Sequence, residues 1–255
     1  MTVILTIAGL DPSGGAGNVA DIKTISALGC FPAAALTSIT FQNTTGVFGA
    51  EHQTAATLRS QVQPILQDLT VAAAKTGMLP TAEIVAEVAR LFAEENLPAP
   101  VVDPVVVATS GDVLIDDEAF QILRTKLFPL ARVVTPNIPE AEKLTGLSIA
   151  NESDMRRAAE AIQALGARAV LVKGGHRSLN GVALDLLLSE GTFTEFRSAY
   201  LDVGEVHGSG CTLSAAIAAC LGKGMTLEES ISSAKKYVTD AIRTSSRIGH
   251  GAKPL

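Results

Sequence analysis

The chain has 255 residues, is 47% hydrophobic and carries a formal net charge of −6 at pH 7. Its length suits an α/β domain that folds without a disulfide or a structural metal. An acidic chain without tryptophan disfavours a nucleic-acid binder, which usually has a basic face and stacking aromatics. The net charge also means that any anionic substrate must be held by a local cluster of donors.

The cysteines and the chain start predict a cytoplasmic protein. Cys30, Cys211 and Cys220 form no CxxC pair, and an odd count favours a reducing compartment. The first residues lack a basic segment and a long apolar run, so we expect no signal peptide. No apolar stretch reaches the roughly 20 residues that a membrane helix needs, so we expect no membrane partner.

Short β-branched runs alternate with helical patterns along most of the chain. Predicted strands cover 3–8, 34–41, 71–75, 101–107, 132–135 and 169–173, followed by a hairpin over 182–188 and 192–197. Predicted helices cover 18–28, 58–69, 82–95, 118–127, 156–165, 211–221 and 227–245. Repeated βα units predict a mostly parallel sheet with helices on both faces, in one domain over residues 1–255. Ligands of such sheets bind beyond the carboxyl ends of the strands.

The first predicted strand leads into the glycine-rich segment GLDPSGGAGNVADIK. Residues 15–20 match the dinucleotide pattern G-x-G-x-x-A, but a long loop precedes them and no acidic residue follows the second strand. The segment also lacks the Lys-Ser/Thr pair of a phosphate-binding P-loop. The letters alone leave two interpretations open, a flexible turn before a helix or a loop that contacts a ligand.

A second glycine-rich segment, HGSGCT, runs straight into an alanine-rich predicted helix. Free amides at a helix start bind anions, and glycines let a phosphate approach the backbone. The same field should stabilise a thiolate, which predicts a lowered pKa for Cys211. The alternatives are tightly packed glycines around a small buried cysteine, or a thiol nucleophile formed by Cys211 and His207.

Three further polar positions lie at predicted strand ends. Asn137 and Glu140 can present two oxygens to Mg²⁺, although this spacing also commonly caps a helix. Lys173, before two glycines, could neutralise a phosphate or could simply be solvated. Asp103 interrupts an apolar strand, where an isolated carboxylate is costly unless it is paired or functional.

Together these motifs resemble the ribokinase superfamily, and more closely its hydroxymethylpyrimidine and phosphomethylpyrimidine kinase branch in thiamin biosynthesis. The similarity follows the chain in order through AGLDPSGGAG, ADIK, QNTTGV, KTGML, VVDPVVVATSGD, TPNIPEAE, VKGGH and HGSGCTLSAAIAA. It implies a three-layer αβα sandwich with a mostly parallel central sheet. It also implies an enzyme that uses ATP and Mg²⁺ to phosphorylate a pyrimidine alcohol and its monophosphate, and a homodimer.

The resemblance also assigns roles to individual residues. Gly208, Ser209 and Gly210 would form the anion hole, and Cys211 would stand where the wider superfamily has an aspartate base. The pyrimidine pocket would be lined by Gln42, Gly9, Asp21 and Met78. ATP would be held by Lys173, Asp103 and Asn137, and Mg²⁺ by Asn137 and Glu140 through water.

Two departures and two alternatives accompany this assignment. Phe41 stands where a small residue is usual, and the ending GHGAKPL is shorter than in many relatives, which leaves any substrate closure there in doubt. A pyridoxal kinase of the same superfamily is the alternative enzyme. A non-catalytic pyrimidine sensor is the alternative from another class.

Overall fold

The computed structural model describes residues 1–106, 115–175 and 181–255. Its main-sheet strands are β1 (Val3–Leu10), β2 (Phe31–Asn43), β3 (Gly46–His52), β4 (Val71–Thr76), β5 (Val101–Val102), β6 (Val133–Val134), β7 (Ala169–Lys173), β8 (Val182–Ser189) and β9 (Thr192–Ala199). Its α-helices are α1 (Gly17–Ala27), α2 (Ala55–Asp68), α3 (Ala82–Glu94), α4 (Asp117–Ile122), α5 (Ile138–Thr145), α6 (Glu152–Gln163), α7 (Ser209–Gly222) and α8 (Leu227–Thr244). A π-helical turn (Leu123–Leu127) and a 3₁₀ turn (Phe128–Leu130) follow α4, and β10 (Val206–His207) pairs with β11 (Lys253–Pro254).

The main sheet has the strand order β3-β2-β1-β4-β5-β6-β7-β8-β9. The six central strands, in the spatial order β2-β1-β4-β5-β6-β7, pair in parallel. Strand β3 at one end, and β8 and β9 at the other, pair antiparallel with their neighbours. The chain passes from β1 to β2 on one side and returns to β4 on the other. The order therefore reverses at β1, where ligands of open α/β sheets bind.

Two apolar layers cover the two faces of the sheet. Helices α2 to α6 pack on one face around residues such as Leu58, Ile84 and Ile162, while α1, α7 and α8 pack on the other around Ile25, Ile217 and Ile231. Helix α7 is buried from Thr212 to Cys220, as expected for an alanine-rich helix pressed between the sheet and its neighbours. The predicted αβα sandwich with a mostly parallel sheet is confirmed.

The structure differs from the predicted elements where tertiary packing decides. The strand predicted over 101–107 ends at Val102, because Pro104 follows Asp103 and has no N–H to donate to a neighbouring strand. Two parts of the sequence motifs lie outside the described residues. They are residues 107–112, the second half of VVDPVVVATSGD, and His176 of VKGGH. Strands β3, β10 and β11 were not predicted.

Among the described residues, no helix combines the length and apolar character needed to cross a bilayer.

Candidate active site

The loop between β1 and α1 is organised around Asp11. One carboxylate oxygen of Asp11 accepts hydrogen bonds from the backbone N–H and the hydroxyl of Ser13 at 2.8 and 2.7 Å. The other accepts from the N–H groups of Gly15 and Ala16 at 3.1 and 2.8 Å. This Asx turn gives the start of the glycine-rich loop a defined set of hydrogen bonds. No role was predicted for Asp11, although its D-P-S-G context is a turn signal.

Asp11 also joins this loop to the second glycine-rich loop. Its buried carboxylate lies 3.0 Å from Nε2 of His207, and it accepts a hydrogen bond from the Gln42 amide. Burial alone would raise the pKa of Asp11. The bonds from His207, Ser13 and Gln42 outweigh burial and hold that pKa well below its ordinary value. Asp11 is therefore an anion at any physiological pH and acts only as an acceptor.

Backbone packing brings the two loops into direct contact at Gly208. This residue precedes α7 with a φ of 86°, a left-handed conformation that favours glycine. A Cβ on Gly208 would lie 1.7 Å from the carbonyl oxygen of Gly15. Glycine at position 208 is thus required by close approach as well as by its conformation.

The helices α1 and α7 begin at this contact without side-chain caps. Their first residues are Gly17 and Ser209, and neither helix has an acidic residue in its first turn. Every other described α-helix has a side-chain cap, from Thr54, Thr81, Asp116, Asn137, Asn151 or Thr226. The amides of Ser209, Gly210 and Cys211 have no helical partner, which is the arrangement that binds anions.

The structure contradicts the predicted low pKa of Cys211. Burial raises the pKa of the thiol to about 11, and the carboxylates of Asp21 and Asp103 raise it further. The Lys75 ammonium and the Gly17 N–H act in the opposite direction but do not compensate. Desolvation therefore outweighs the field of the helix start, and the prediction was wrong. At neutral pH Cys211 is a thiol.

Two buried ion pairs lie beneath the start of α7. Nζ of Lys75 contacts both carboxylate oxygens of Asp21 at 3.0 and 2.9 Å, and Thr6 donates its hydroxyl to the same carboxylate at 2.6 Å. Both charged side chains are 0% exposed. Asp21, predicted to line the pyrimidine pocket, thus presents no surface and holds Lys75 instead. Lys75 was missed, although a lysine in the apolar run VAAAKT is as conspicuous as Asp103 in its strand.

The second ion pair joins Lys173, at the end of β7, to Asp103, just after β5. Nζ of Lys173 lies 3.0 Å from Oδ1 of Asp103, and Ser214 of α7 donates its hydroxyl to Oδ2 at 3.3 Å. The Asp103 and Glu140 carboxylates outweigh burial and raise the pKa of Lys173. A Cβ on Gly210 would lie 3.2 Å from this ammonium. The structure therefore brings the predicted phosphate-binding lysine to the predicted anion hole.

Asn137 and Glu140 form the capping box of α5. Oδ1 of Asn137 accepts from the Glu140 N–H at 2.9 Å, and Oε2 of Glu140 accepts from the Asn137 N–H at 2.8 Å. The other Glu140 oxygen accepts from the Val106 N–H at 3.3 Å, and burial raises the pKa of this carboxyl despite the Lys173 charge. Both side chains thus serve the helix cap. No described group of three His, Cys, Asp or Glu residues could hold a metal directly.

The remaining predicted pocket residues lie at the ends of β1, β2 and β4. Gly9 faces Met78 so closely that a Cβ on Gly9 would lie 2.6 Å from the methionine methyl group. The Met78 carbonyl is fixed by the Thr37 hydroxyl at 2.7 Å. Gln42 is half-buried at the tip of the β2–β3 hairpin. These three residues and the two glycine-rich loops share one side of the sheet edge.

The comparisons with known proteins agree with this geometry. The phosphomethylpyrimidine kinase family model matches residues 11–255. A hydroxymethylpyrimidine/phosphomethylpyrimidine kinase of Rhizobium meliloti is 47% identical, with 100% of this chain and 97% of the relative covered. A thiamine biosynthesis bifunctional protein of Geobacter sulfurreducens is 45% identical over 99% of this chain, which spans only 51% of that relative.

Solved structures show the same fold. An ADP complex of Bacillus subtilis pyridoxal kinase superposes with a TM-score of 0.93 at 38% identity, covering 100% of this chain and 97% of that one. A phosphomethylpyrimidine kinase of Clostridium difficile gives a TM-score of 0.84 at 41% identity, covering 95% and 100%. The fold and these relatives define a small-molecule phosphotransferase of the ribokinase fold. Within that class, the chain belongs to the phosphomethylpyrimidine kinase family.

Proposed function

We propose that the chain transfers the γ-phosphoryl group of ATP to the hydroxyl of 4-amino-5-hydroxymethyl-2-methylpyrimidine, and then to the resulting monophosphate, in thiamin biosynthesis. The observation that carries this proposal is the uncapped start of α7, where free amides lie beside Lys173 and Cys211. The names of the relatives support the same substrate.

The phosphoryl group binds where positive potential is concentrated. The chain as a whole repels anions, but the amides of Ser209, Gly210 and Cys211 and the Lys173 ammonium converge at one point. Transfer of a phosphoryl group has a loose transition state, so positioning and charge stabilisation supply most of the rate. The alcohol oxygen bonds to the γ-phosphorus while the bond to the bridging oxygen breaks. ADP leaves, and the hydroxyl proton is released to water.

Cys211 holds the alcohol in line as a neutral thiol. Its pKa of about 11 leaves little thiolate at pH 7, so almost none of it is in the form that can accept a proton. A loose transition state needs little deprotonation of the attacking hydroxyl. A thiol can both donate and accept a weak hydrogen bond, which suits it to orient a hydroxyl beside the anion hole.

Asn137 and Glu140 are the residues that would hold Mg²⁺ beside the phosphates of ATP. The oxygens of Asn137 and Glu140 are engaged in the cap of α5, which does not fit a closed metal cage. Carboxylate and amide oxygens do fit outer-shell contacts through water, because Mg²⁺ keeps several waters and takes substrate phosphates as ligands. When bound, the ion neutralises charge on the phosphates, and Asn137, Asp103 and Lys173 line the ATP side of the site.

The pyrimidine is recognised by Gln42 beside Gly9 and Met78. Because the Asp11 carboxylate only accepts, it takes an N–H of the Gln42 amide and leaves Oε1 free. That oxygen can accept from the exocyclic amine of the ring. Leucine at position 42 removes both polar groups, so Gln42→Leu should raise KM for the pyrimidine about tenfold or more while KM for ATP stays unchanged. An unchanged pyrimidine KM would contradict this assignment.

Pyridoxal phosphorylation is the second candidate activity. It is favoured by one observation, the TM-score of 0.93 to a pyridoxal kinase. The test is ADP release by the purified protein with the pyrimidine alcohol, its monophosphate and pyridoxal, side by side. We expect turnover with both pyrimidines and a kcat/KM for pyridoxal at least about 100-fold lower, since a mismatched polar site discriminates strongly. No ADP release with either pyrimidine would overturn the proposal.

We also propose the domain organisation, the cellular location, the ligand classes and the oligomeric state of the protein. The chain acts as one cytoplasmic domain that binds ATP and small molecules and neither nucleic acid nor membrane. It forms a homodimer through the edge of the sheet at β3, where Phe48 is 70% exposed and Phe41 is 52% exposed. An unpaired edge strand with exposed aromatics favours association with a second copy.

A further inference from the structure

Residues 249–255, here called the strap, contact three segments that carry candidate-site residues. The first is Thr44, two positions after Gln42 at the hairpin tip. The Ala252 N–H donates to the Thr44 carbonyl at 2.9 Å, and the Gly251 N–H donates to the Thr44 hydroxyl at 3.3 Å. The strap therefore holds both the backbone and the side chain of Thr44, close to Gln42, which is proposed to bind the pyrimidine.

The strap approaches Thr44 so closely that it needs glycine. A Cβ on Gly249 would lie 2.2 Å from the Thr44 hydroxyl oxygen, and a Cβ on Gly251 would lie 1.8 Å from the Thr44 carbonyl oxygen. Separations below about 3 Å do not occur between non-bonded heavy atoms of this kind without displacement. The two glycines of GHG are thus explained by this contact.

The second segment is the strand that leads into the anion loop. Strand β11 of the strap pairs in parallel with β10, placing Lys253 and Pro254 opposite Val206 and His207. The Lys253 N–H donates to the Glu205 carbonyl at 2.9 Å. The strap is thereby connected, through β10, to the residues immediately before Gly208.

The third segment is the first glycine-rich loop. Pro254 packs against Gly15, where an added Cβ would lie 3.1 Å from the proline Cβ. Nζ of Lys23, on α1, donates to the carbonyls of Gly14 and Leu255 at 2.8 and 3.0 Å. The strap therefore spans from the hairpin tip to both loops that surround Cys211.

We propose that the strap is a substrate-positioning segment, which holds the hairpin carrying Gln42 at a fixed distance from the loops carrying Cys211. The hairpin tip is otherwise ordered by a local turn, in which Asn43 accepts from the N–H and hydroxyl of Thr45 at 2.8 and 2.7 Å. Release of the strap frees the tip and weakens binding of the alcohol substrate. This inference rests on the proposed function for the identity of that substrate.

The test variant is Gly249→Ala, and its matched control is Gly46→Ala. Gly46 lies on the same hairpin, but a Cβ there meets nothing within 4 Å. Loss of the hydrogen bonds to Thr44 should raise KM for the pyrimidine alcohol about tenfold in Gly249→Ala. KM for ATP should stay within about twofold, because Lys173 and Asp103 lie elsewhere on the sheet edge. The control should match the wild type in both constants.

A compensating change identifies the contact itself. Thr44→Ala removes the hydroxyl that an alanine at position 249 would meet, so the double variant Gly249→Ala/Thr44→Ala should recover the pyrimidine KM to within about threefold of Thr44→Ala alone. Should Gly249→Ala fail to fold, Thr44→Val tests the same contact between the strap and the hairpin, because it removes only the hydroxyl that accepts the hydrogen bond from the Gly251 N–H. It should raise the pyrimidine KM about threefold.

Hydrogen exchange over residues 42–46, followed by mass spectrometry, gives a readout that does not need turnover. Exchange should be faster in Gly249→Ala than in Gly46→Ala or the wild type. If Gly249→Ala matches its control in exchange and in KM, the strap has no positioning role. If the wild type phosphorylates no pyrimidine, the proposed function fails, and the exchange comparison still decides whether the strap orders the hairpin.

Discussion

At the scale of single residues, the site is built from charges that neutralise one another before any ligand arrives. Lys75 pairs with Asp21 and Lys173 pairs with Asp103, both pairs beneath the start of α7. A buried pair is costly to break, because the remaining charge has no partner. Cys211 lies within the field of all four groups, and its protonation depends on their balance with burial.

Cys211 can be tested directly through its thiol. Cys211→Ala should lower kcat about 100-fold, a typical loss for a positioned group in proton transfer or alignment. In the wild type, iodoacetamide labelling of the Cys211 peptide should be slow at pH 7 and rise about tenfold per pH unit toward pH 10, because the raised pKa keeps the sulfur protonated. Labelling that levels off below pH 8 would show a thiolate and contradict the assignment of a protonated thiol.

Lys173 can be separated from its structural partner by a charge-balanced pair of changes. Lys173→Met should lower kcat about 10²- to 10³-fold, as for loss of one donor to a developing charge. It also leaves Asp103 unpaired, at a cost of about 3–5 kcal/mol in unfolding free energy. Lys173→Met/Asp103→Asn should recover most of that stability in urea unfolding without recovering ADP release. Normal turnover in the double variant would exclude a catalytic role for the lysine.

At the scale of elements, the function depends on how two helix starts are packed together. The loops before α1 and α7 meet through Asp11, His207 and Gly208, so the free amides of α7 are held against a fixed surface. Such preorganised donors need no rearrangement when charge develops.

Gly208→Ala tests this packing, and Gly224→Ala is its control. Both glycines have a φ of 86°, but a Cβ on Gly224 meets nothing within 4 Å, whereas one on Gly208 meets the Gly15 carbonyl. The control should lose about 1–2 kcal/mol of unfolding free energy from backbone strain alone and keep its activity. Gly208→Ala should lose more and release ADP at least about 100-fold more slowly. Equal losses in both variants would mean that the contact is unimportant.

Elements with a long apolar run could be predicted from the sequence better than the rest. The run Val3 to Ala8 and the alanine-rich segment after Cys211 predicted β1 and α7, because both elements are buried almost continuously. Strand β3 was missed because its side chains are mostly exposed at a sheet edge and show no apolar pattern. Short strands such as β10 and β11 depend on a partner distant in sequence.

The candidate site was likewise predictable from the sequence only in part. The motif spacing predicted that Lys173, Asp103 and the HGSGC loop lie at one edge of the sheet, because the ends of strands can be identified from the local sequence. The pKa of Cys211 could not be predicted in this way, since it depends on desolvation and on Lys75 and Asp21, which come from other elements. For Asn137 and Glu140, the letters alone favoured a helix cap over a metal site, and the structure shows the cap.

At the scale of the whole molecule, the two edges of the sheet differ. The β9 edge carries paired charges, with Arg197 bonded to Glu195 and near Glu152, whereas the β3 edge carries the exposed Phe48, with Phe41 exposed on the adjacent β2. Charged edges resist association and apolar ones promote it. The proposed homodimer therefore uses the β3 edge, beside the hairpin that bears Gln42.

Phe48→Glu should convert the proposed dimer to a monomer in sedimentation velocity, because a charge at the centre of an apolar contact is left without a partner. Phe31→Glu is the control, since Phe31 is 46% exposed at the opposite end of β2 and should leave the dimer intact. A wild type that sediments as a monomer at micromolar concentration, or a dimeric Phe48→Glu, would contradict the assignment.

The near-collision between position 208 and the Gly15 carbonyl has a consequence for how this chain can change over generations. Two stretches almost two hundred residues apart share a single gap that admits only a hydrogen atom. A mutation that widens either stretch is incompatible with the other, so neither can drift alone. The loops before the two helices are thereby constrained to change together, although they lie far apart along the chain.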